Sequence, residues 1–320
     1  MLNTWRTIII SLFCTCFVPV QATSRALIVA IAEYPKKSGW QPIHANNDVL
    51  VVKSGLLKQG FSIENITVLR DRAATKQGIL NAFDQLLQQS VAGDRLMVHF
   101  SMHGQQVTDL NGDEADGLDE ALVAYDAPKY NKQNARSADK HLIDDELNKL
   151  LLALRKKVGK KGSVLIFVDA CHSGTINRGA QKPETVIRGT GEIFEIRGVE
   201  TVARAKRIPS LYVDDNQPVD NSALAPFLLI SACAEDQNNK EYRDCYSNKS
   251  YGPLSYALSV VLSKNRIAVT NDVFFEQIKA EMAKLDAHYE SKQTPQKEGN
   301  AHVIFFSPNF SSNSVDASND

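Results

Sequence analysis

The sequence predicts an α/β domain built around a mostly parallel sheet, and three observations carry that expectation. Short apolar runs, each closed by a small or polar residue, alternate with segments whose apolar residues recur at helical spacing. That β-α-β-α-β order, joined by right-handed crossovers, gives a mostly parallel sheet. Two of the runs, Asp94–Ser101 and Gly162–Asp169, stop just short of a histidine and a cysteine, His103 and Cys171. If they are parallel neighbours, both side chains face the crevice beyond the carboxyl ends, where open α/β sheets hold their chemistry.

The elements follow in order. Arg25–Glu33 reads as a buried strand and Asn47–Gln59 as a helix ending before Gly60. Ile66–Leu69 is a second strand. Thr75–Gln89 is a helix, with Thr75 placed to cap it and Ile79, Leu80, Phe83, Leu86 and Leu87 on one face. The His103 strand comes next, then an acidic loop, Asp109–Asp126. Asp144–Lys156 is a helix carrying Leu147, Leu150, Leu151 and Leu154, and the Cys171 strand closes this half. Gly174–Ala225 is rich in Gly, Pro and basic residues and reads as a long loop, with a hairpin at Glu192–Ile196. Loops of that length inside compact domains are usually functional or disordered. Beyond it lie a strand at Pro226–Ala232, helices at Tyr251–Lys264 and Asn271–Leu285, and a final strand at His302–Phe306.

The first residues read as a leader rather than as part of the fold. Met1–Arg6 carries an arginine, Thr7–Val20 is an apolar run too short to span a bilayer, and Val20-Gln21-Ala22 is a small-residue cleavage pattern. The expected division is a signal peptide over 1–22, one domain over 23–306 and a disordered tail over 307–320. The domain splits into a large portion (23–175), an insertion (176–225) and a small portion (226–306). Export to the periplasm or the medium follows, with no membrane attachment once the leader is gone. A formal net charge of -1 gives no argument for a nucleic-acid partner. Cys14 and Cys16 leave with the leader, so Cys171, Cys233 and Cys245 remain in an oxidising compartment. A Cys233–Cys245 disulfide would leave Cys171 free; three reduced thiols are the alternative.

A thiol and an imidazole in one crevice are a nucleophile and its base. Small residues flank Cys171 in Asp169-Ala-Cys-His-Ser-Gly174, so a substrate backbone can approach closely. The backbone N–H groups of Gly104 and Cys171 are the natural oxyanion donors, each contributing about 3 kcal/mol in comparable enzymes. His172 points away from His103's side of the strand end and reads as structural. These residues predict a cysteine peptidase.

Five motifs in order then carry a resemblance: Ser101-Met-His-Gly-Gln-Gln106, Gly112-Asp-Glu-Ala-Asp-Gly-Leu-Asp-Glu120, Ile143-Asp-Asp-Glu146, Asp169-Ala-Cys-His-Ser-Gly174 and Ser231-Ala-Cys-Ala-Glu-Asp-Gln237. The sequence resembles the metacaspases from about Arg25 to Phe306. The resemblance implies the caspase–hemoglobinase fold, a mostly parallel sheet of about six strands flanked by helices on both faces. It implies a His103/Cys171 dyad and cleavage of protein or peptide substrates after Arg or Lys. It places Asp48, Ser101 and Asp169 around the primary pocket, and a cation buried there does need carboxylates. It also implies calcium bound by Asp119, Asp144 and Asp145, although Asn177 and Arg178 stand where the family has a further carboxylate. Asp109, Asn111, Asp113 and Glu120 match positions 1, 3, 5 and 12 of a twelve-residue calcium loop, but Glu114 replaces its glycine and no helix enters it. Caspase relatives are cut between their two portions, which makes Arg178, Lys182, Arg188, Arg197, Arg204, Lys206 and Arg207 candidate self-cleavage sites. The resemblance further implies a monomer. A catalytically silent module that binds basic peptides is the competing function.

Overall fold

The computed structural model describes residues 22–132, 138–171, 185–196, 221–234, 237–265, 267–286 and 292–300, with the backbone of 304–306. Thirteen strands and five α-helices occur among them. In chain order these are β1 (Ser24–Ala30), α1 (Ala45–Lys58), β2 (Ile66–Arg70), α2 (Lys76–Gln89), β3 (Arg95–Ser101), β4 (Gly104–Thr108) and β5 (Leu118–Val123). Next come β6 (His141–Ile143), α3 (Asp144–Val158), β7 (Ser163–Asp169), β8 (Phe227–Ser231), β9 (Tyr242–Arg243), β10 (Ser250–Tyr251) and α4 (Pro253–Lys264). The chain continues through β11 (Val269–Thr270), α5 (Asn271–Asp286), β12 (Gln296–Gly299) and β13 (Ile304–Phe306).

The central sheet has six strands in the order β12-β8-β7-β3-β1-β2. All its pairs are parallel except β12 on β8. Every residue of β7 is buried, which is why this strand reads as an unbroken apolar run. Helices cover both faces. One face packs Leu27, Val29, Leu96, Val98, Val164 and Ile166 against Ile79 and Phe83 of α2 and Leu151 and Leu154 of α3. The other packs Ile28, Met97, Leu165 and Phe167 against Val52 and Leu56 of α1, Leu258 of α4 and Phe274 of α5. Thr75 caps α2 as expected, its hydroxyl accepting the Gly78 N–H at 3.0 Å.

Three expectations are corrected. The acidic loop is shorter than the composition implied: β4 and β5 form an antiparallel hairpin, extended by β6. The strand read at the end of the chain is not the sheet edge. β12 takes that place, with all four of its residues exposed, and Ile304–Phe306 pairs with Val269–Thr270 instead. A polar Gln-Lys-Glu-Gly edge resists further pairing and carries no apolar signal to read. Glu192–Ile196 forms no hairpin. It runs beside β4, where Val107 bridges Phe194 in parallel. Phe194 and Ile196 are buried there with Val107 and Ala121.

Cys171, Cys233 and Cys245 are all free thiols, Cys233 buried and Cys245 exposed, so of the two readings the three reduced thiols hold and no Cys233–Cys245 disulfide forms. Among the described residues no helix is long and apolar enough to cross a membrane. The leader, the tail, His172 and the candidate cleavage sites Arg178, Lys182, Arg197, Arg204, Lys206 and Arg207 lie outside the described residues.

Candidate active site

Strand register brings the two reactive residues together. Ser101 on β3 pairs with Asp169 on β7, and His103 and Cys171 each lie two residues further on, at the carboxyl edge of adjacent central strands. The imidazole is buried and fixed from several sides. Trp40 stacks on it at 4.8 Å between centroids and Tyr34 leans on it at 5.3 Å. The Tyr34 hydroxyl accepts the His103 backbone N–H (3.2 Å) and donates to the Val123 carbonyl (3.0 Å). His103 Nε2 donates to the Gln41 carbonyl at 2.8 Å. A carbonyl only accepts, so Nε2 holds the hydrogen and Nδ1 keeps the lone pair. Nδ1 is buried without a hydrogen-bond partner. Burial pushes this imidazole down to about 4, so it is neutral at neutral pH and able to take a proton.

Cys171 is buried as well, and the chain's own segment covers it. A Cβ on Gly189 would lie 2.4 Å from the Cys171 carbonyl oxygen and 2.9 Å from its Cβ. The Arg188 carbonyl accepts two backbone N–H groups, from Cys171 at 2.9 Å and from Gly104 at 3.2 Å. These are the two donors read from the sequence as an oxyanion hole. Before Arg188 the segment is held as an antiparallel strand: the Arg188 N–H donates to the Asn239 carbonyl and the Glu241 N–H to the Val186 carbonyl, each at 2.9 Å. The Cys171 thiol itself donates to the Gln237 carbonyl at 3.2 Å, which Cys233 also approaches at 3.4 Å.

The Arg188 side chain fills an acidic pocket beneath this carbonyl. It heads the fully buried side chains by volume. One terminal nitrogen donates to Ser101 Oγ at 2.7 Å and lies 2.8 Å from Asp48 Oδ2; the other donates to Glu241 Oε1 at 2.9 Å. Asp169 stands further off, at 3.9 Å, and spends its oxygens on Asn239 Nδ2 (2.7 Å), the Ser255 N–H (2.7 Å) and the Ser255 hydroxyl (2.6 Å). Asp48 is anchored by the Gly252 N–H at 3.0 Å and the Ser101 hydroxyl at 2.7 Å. Burial pushes Asp48 up to about 7, Arg188 opposing it. Burial would lower the guanidinium, but Asp48, Asp169 and Glu241 outweigh it and hold Arg188 above its ordinary value. Burial also pushes Glu241 up, yet Arg188 and the hydrogen bonds from His44 hold it below the usual carboxylate range.

A second acidic group lies in the loop that joins β4 to β5. Ligand atoms of Asp109, Asp113 and Asp119 lie within 4.8 Å of one another. Asp109 Oδ1 accepts the N–H groups of Asn111 (2.8 Å) and Gly112 (2.7 Å), which folds the loop back on itself. Burial, then Asp144, Asp109, Asp145 and Asp113, push Asp119 up to about 8. Burial, then Glu120 and Asp145, push Asp144 up to about 8, and one of its carboxylate oxygens is buried without a hydrogen-bond partner. Crowded carboxylates around an unsatisfied oxygen suit a hard cation. The structure gathers Asp109 and Asp113 with Asp119, whereas Asp144 and Asp145 stand by as nearby charges, Asp145 accepting from Asn111 Nδ2 at 2.7 Å.

The family model described as "Caspase domain" matches residues 23–303. The chain belongs to that family. Metacaspase-3 of Arabidopsis thaliana is 30% identical over 66% of this chain and 52% of its own length. Metacaspase-1 of Schizosaccharomyces pombe is 24% identical over 68% of this chain and 55% of its own. The caspase domain described here therefore spans about half the length of these curated relatives. Caspase-1 of Spodoptera frugiperda shares the fold, with a TM-score of 0.54 at 15% identity over 90% of this chain and 92% of that one. A solved protein of Geobacter sulfurreducens does so too, with a TM-score of 0.57 at 22% identity over 89% of this chain and 97% of that one.

All the sequence-read pocket residues of this caspase domain meet around Arg188, though Asp169 acts at one remove. The sequence reading missed Glu241, His44, Trp40, Tyr34 and Asn239. Asn239 and Glu241 lie just beyond the Ser231–Gln237 motif, and no sequence pattern marks either.

Proposed function

We propose that this caspase-domain chain is a cysteine endopeptidase that hydrolyses peptide bonds after Arg or Lys, and that Arg188–Gly189 is one such bond within itself. One observation carries the reading: Arg188 sits as a substrate residue would, its cation among carboxylates and its carbonyl on two backbone N–H groups beside the thiol. In the proposed reaction the Cys171 sulfur attacks the Arg188 carbonyl carbon while His103 Nδ1 takes the thiol proton. The oxygen, now negative, stays on the N–H groups of Gly104 and Cys171. The carbon–nitrogen bond to Gly189 breaks, the imidazolium giving its proton to the departing amine. Water, its proton drawn by the neutral imidazole, then hydrolyses the thioester to the Arg188 carboxylate and the free thiol.

Calcium is proposed at the acidic cluster, with Asp109, Asp113 and Asp119 as the residues that fit it and Asp144 and Asp145 as nearby charges. Bound there, the ion would supply the positive charge that lets these carboxylates ionise side by side. Export as a monomer is proposed from the leader pattern and the charged, exposed β12 edge.

The test compares wild-type chain with Cys171→Ala, each with calcium and with a chelator. The expected result is a new N-terminus at Gly189-Thr-Gly-Glu192 in the wild type and an intact Cys171→Ala chain. A wild type that cleaves Arg peptides yet stays intact removes the self-cut alone. A wild type that cleaves neither removes the peptidase reading and leaves the silent binding module.

A further inference from the structure

We propose that the pocket selects arginine over lysine and that Glu241 makes the distinction. The inference rests on Arg188 standing in for the residue before the cut. Its guanidinium is read at two separate nitrogens. Ser101 Oγ (2.7 Å) and Asp48 Oδ2 (2.8 Å) take one; Glu241 Oε1 (2.9 Å) takes the other. A lysine ammonium is a single compact charge without a planar fork, so it can stand near one of those positions and not both. With lysine bound, Glu241 would keep its contact to His44 and lose its cation.

Glu241 is held for this task from outside the pocket. The His44 backbone N–H donates to Oε1 at 2.7 Å, and His44 Nδ1 lies 2.5 Å from Oε2. The carboxylate is therefore aimed before any ligand arrives, and its reorganisation on binding is small. The same residue donates its backbone N–H to the Val186 carbonyl at 2.9 Å. Glu241 thus fixes the register of the docked strand and reads the cation two residues along it. Asp169, 3.9 Å from the guanidinium and engaged with Asn239 and Ser255, shapes the pocket floor and does not discriminate between the two cations. Asp48 and Ser101, which meet a single nitrogen, serve either basic residue.

The experiment uses the full chain with calcium and two reporter peptides, acyl-Thr-Val-Ile-Arg and acyl-Thr-Val-Ile-Lys. The expected kcat/KM ratio favours arginine by roughly tenfold to a hundredfold, the worth of one hydrogen bond between charged groups. Glu241→Gln keeps the shape and the backbone donor, and should shrink that ratio by costing the arginine rate more than the lysine rate. Arg188→Lys, which leaves Glu241 untouched, should slow the self-cut by the same factor as the peptide ratio. Equal wild-type rates on the two peptides overturn the proposal and leave a peptidase for basic residues. A Glu241→Gln chain that keeps the full preference, or an Arg188→Lys chain cut as fast as wild type, also overturns it. A wild type inactive on both peptides overturns the underlying reading, and this one with it.

Discussion

Removing the Arg188 side chain separates a docked ligand from a structural core residue. In a Cys171→Ala background, Arg188→Ala leaves Asp48, Glu241 and Asp169 facing a water-filled pocket. Breaking a buried ion pair costs about 3–5 kcal/mol. The low end applies here, because the pocket keeps partners of its own. Asp48 retains the Ser101 hydroxyl and the Gly252 N–H, Asp169 retains Asn239 and Ser255, and Glu241 retains His44. For a domain of this size about 3 kcal/mol lowers Tm by roughly 6–12 °C. The loss depends on pH. Asp48 is already raised to about 7 with Arg188 beside it, and without that cation it rises further. At about pH 6 it is protonated and repels little; at about pH 8 more of its charge is uncompensated, so the variant should lose more there. The peptide Thr-Val-Ile-Arg, at a hundred times its Kd, should return about 2.7 kcal/mol of the loss. Thermal melts at both pH values, with and without the peptide, read all three effects. A larger loss, independent of pH and untouched by the peptide, would mean Arg188 is an ordinary core ion pair and would refute the reasoning.

Gly189→Ala should slow self-cleavage at least tenfold, because its Cβ would lie 2.4 Å from the backbone oxygen of Cys171; fragment accumulation on gels measures it, and an unchanged rate refutes the docked geometry. Asp48 is raised to about 7 with the Arg188 cation beside it and stands higher without a cation, so an arginine ligand is held more tightly as pH rises above about 7. KM for an Arg reporter peptide should accordingly fall from about pH 6 to about pH 8, and Asp48→Asn should flatten that profile. Asp119 and Asp144 are raised to about 8, above their unfolded values. Their sign is therefore reversed from a salt-bridged carboxylate: stability falls as pH rises from about 4 to about 8, and a cation restores it. In chelator the chain should melt lower at about pH 8 than at about pH 6, and calcium should close that gap; a gap that calcium leaves unchanged counts against the metal site.

Much of this was legible because the signals were local. The apolar runs at β1, β3, β7 and β8 announced buried strands, and residues at fixed offsets from β3 and β7 announced the thiol and the imidazole. Thr75 announced its cap. Long-range partners had no such signal. Glu241 belongs to no motif, and its value comes from the β9 approach bringing it under the Arg188 guanidinium. Trp40, Tyr34 and Gln41 hold His103 from a loop whose sequence does not distinguish it from any other surface turn. β12 escaped notice because an exposed edge strand of Gln, Lys, Glu and Gly has neither apolar period nor β-branched residues. Arg188 appeared in the sequence as one of seven basic residues in a long loop, and only the fold singles it out.

The docked segment also bears on how an outside substrate would gain entry. While the chain is intact, the tethered Arg188 competes at an effective concentration in the millimolar range, so a peptide with micromolar affinity gains only partial access. Cutting Arg188–Gly189 removes the tether on the Gly189 side only: Arg188 becomes a chain end, still joined to Cys171 through residues 172–187 and held by the Asn239 and Val186–Glu241 backbone bonds. The other side is different. Residues beyond Gly189 run along β4, with the Phe194 N–H on the Gln106 carbonyl (2.9 Å) and the side chains of Phe194 and Ile196 buried against Val107 and Ala121. No bond broken at Arg188–Gly189 loosens those contacts. The proposed cut therefore lets the new chain end at Arg188 peel out of the acidic pocket and leaves the leaving-group side of the cleft occupied. Short reporter peptides, which end at the bond to be broken, should be turned over as soon as the chain is nicked. Longer peptides must also displace the β4-bound strand, so their KM should exceed that of a reporter with the same Thr-Val-Ile-Arg sequence. Equal KM values for the two lengths would show that the strand leaves with the cut.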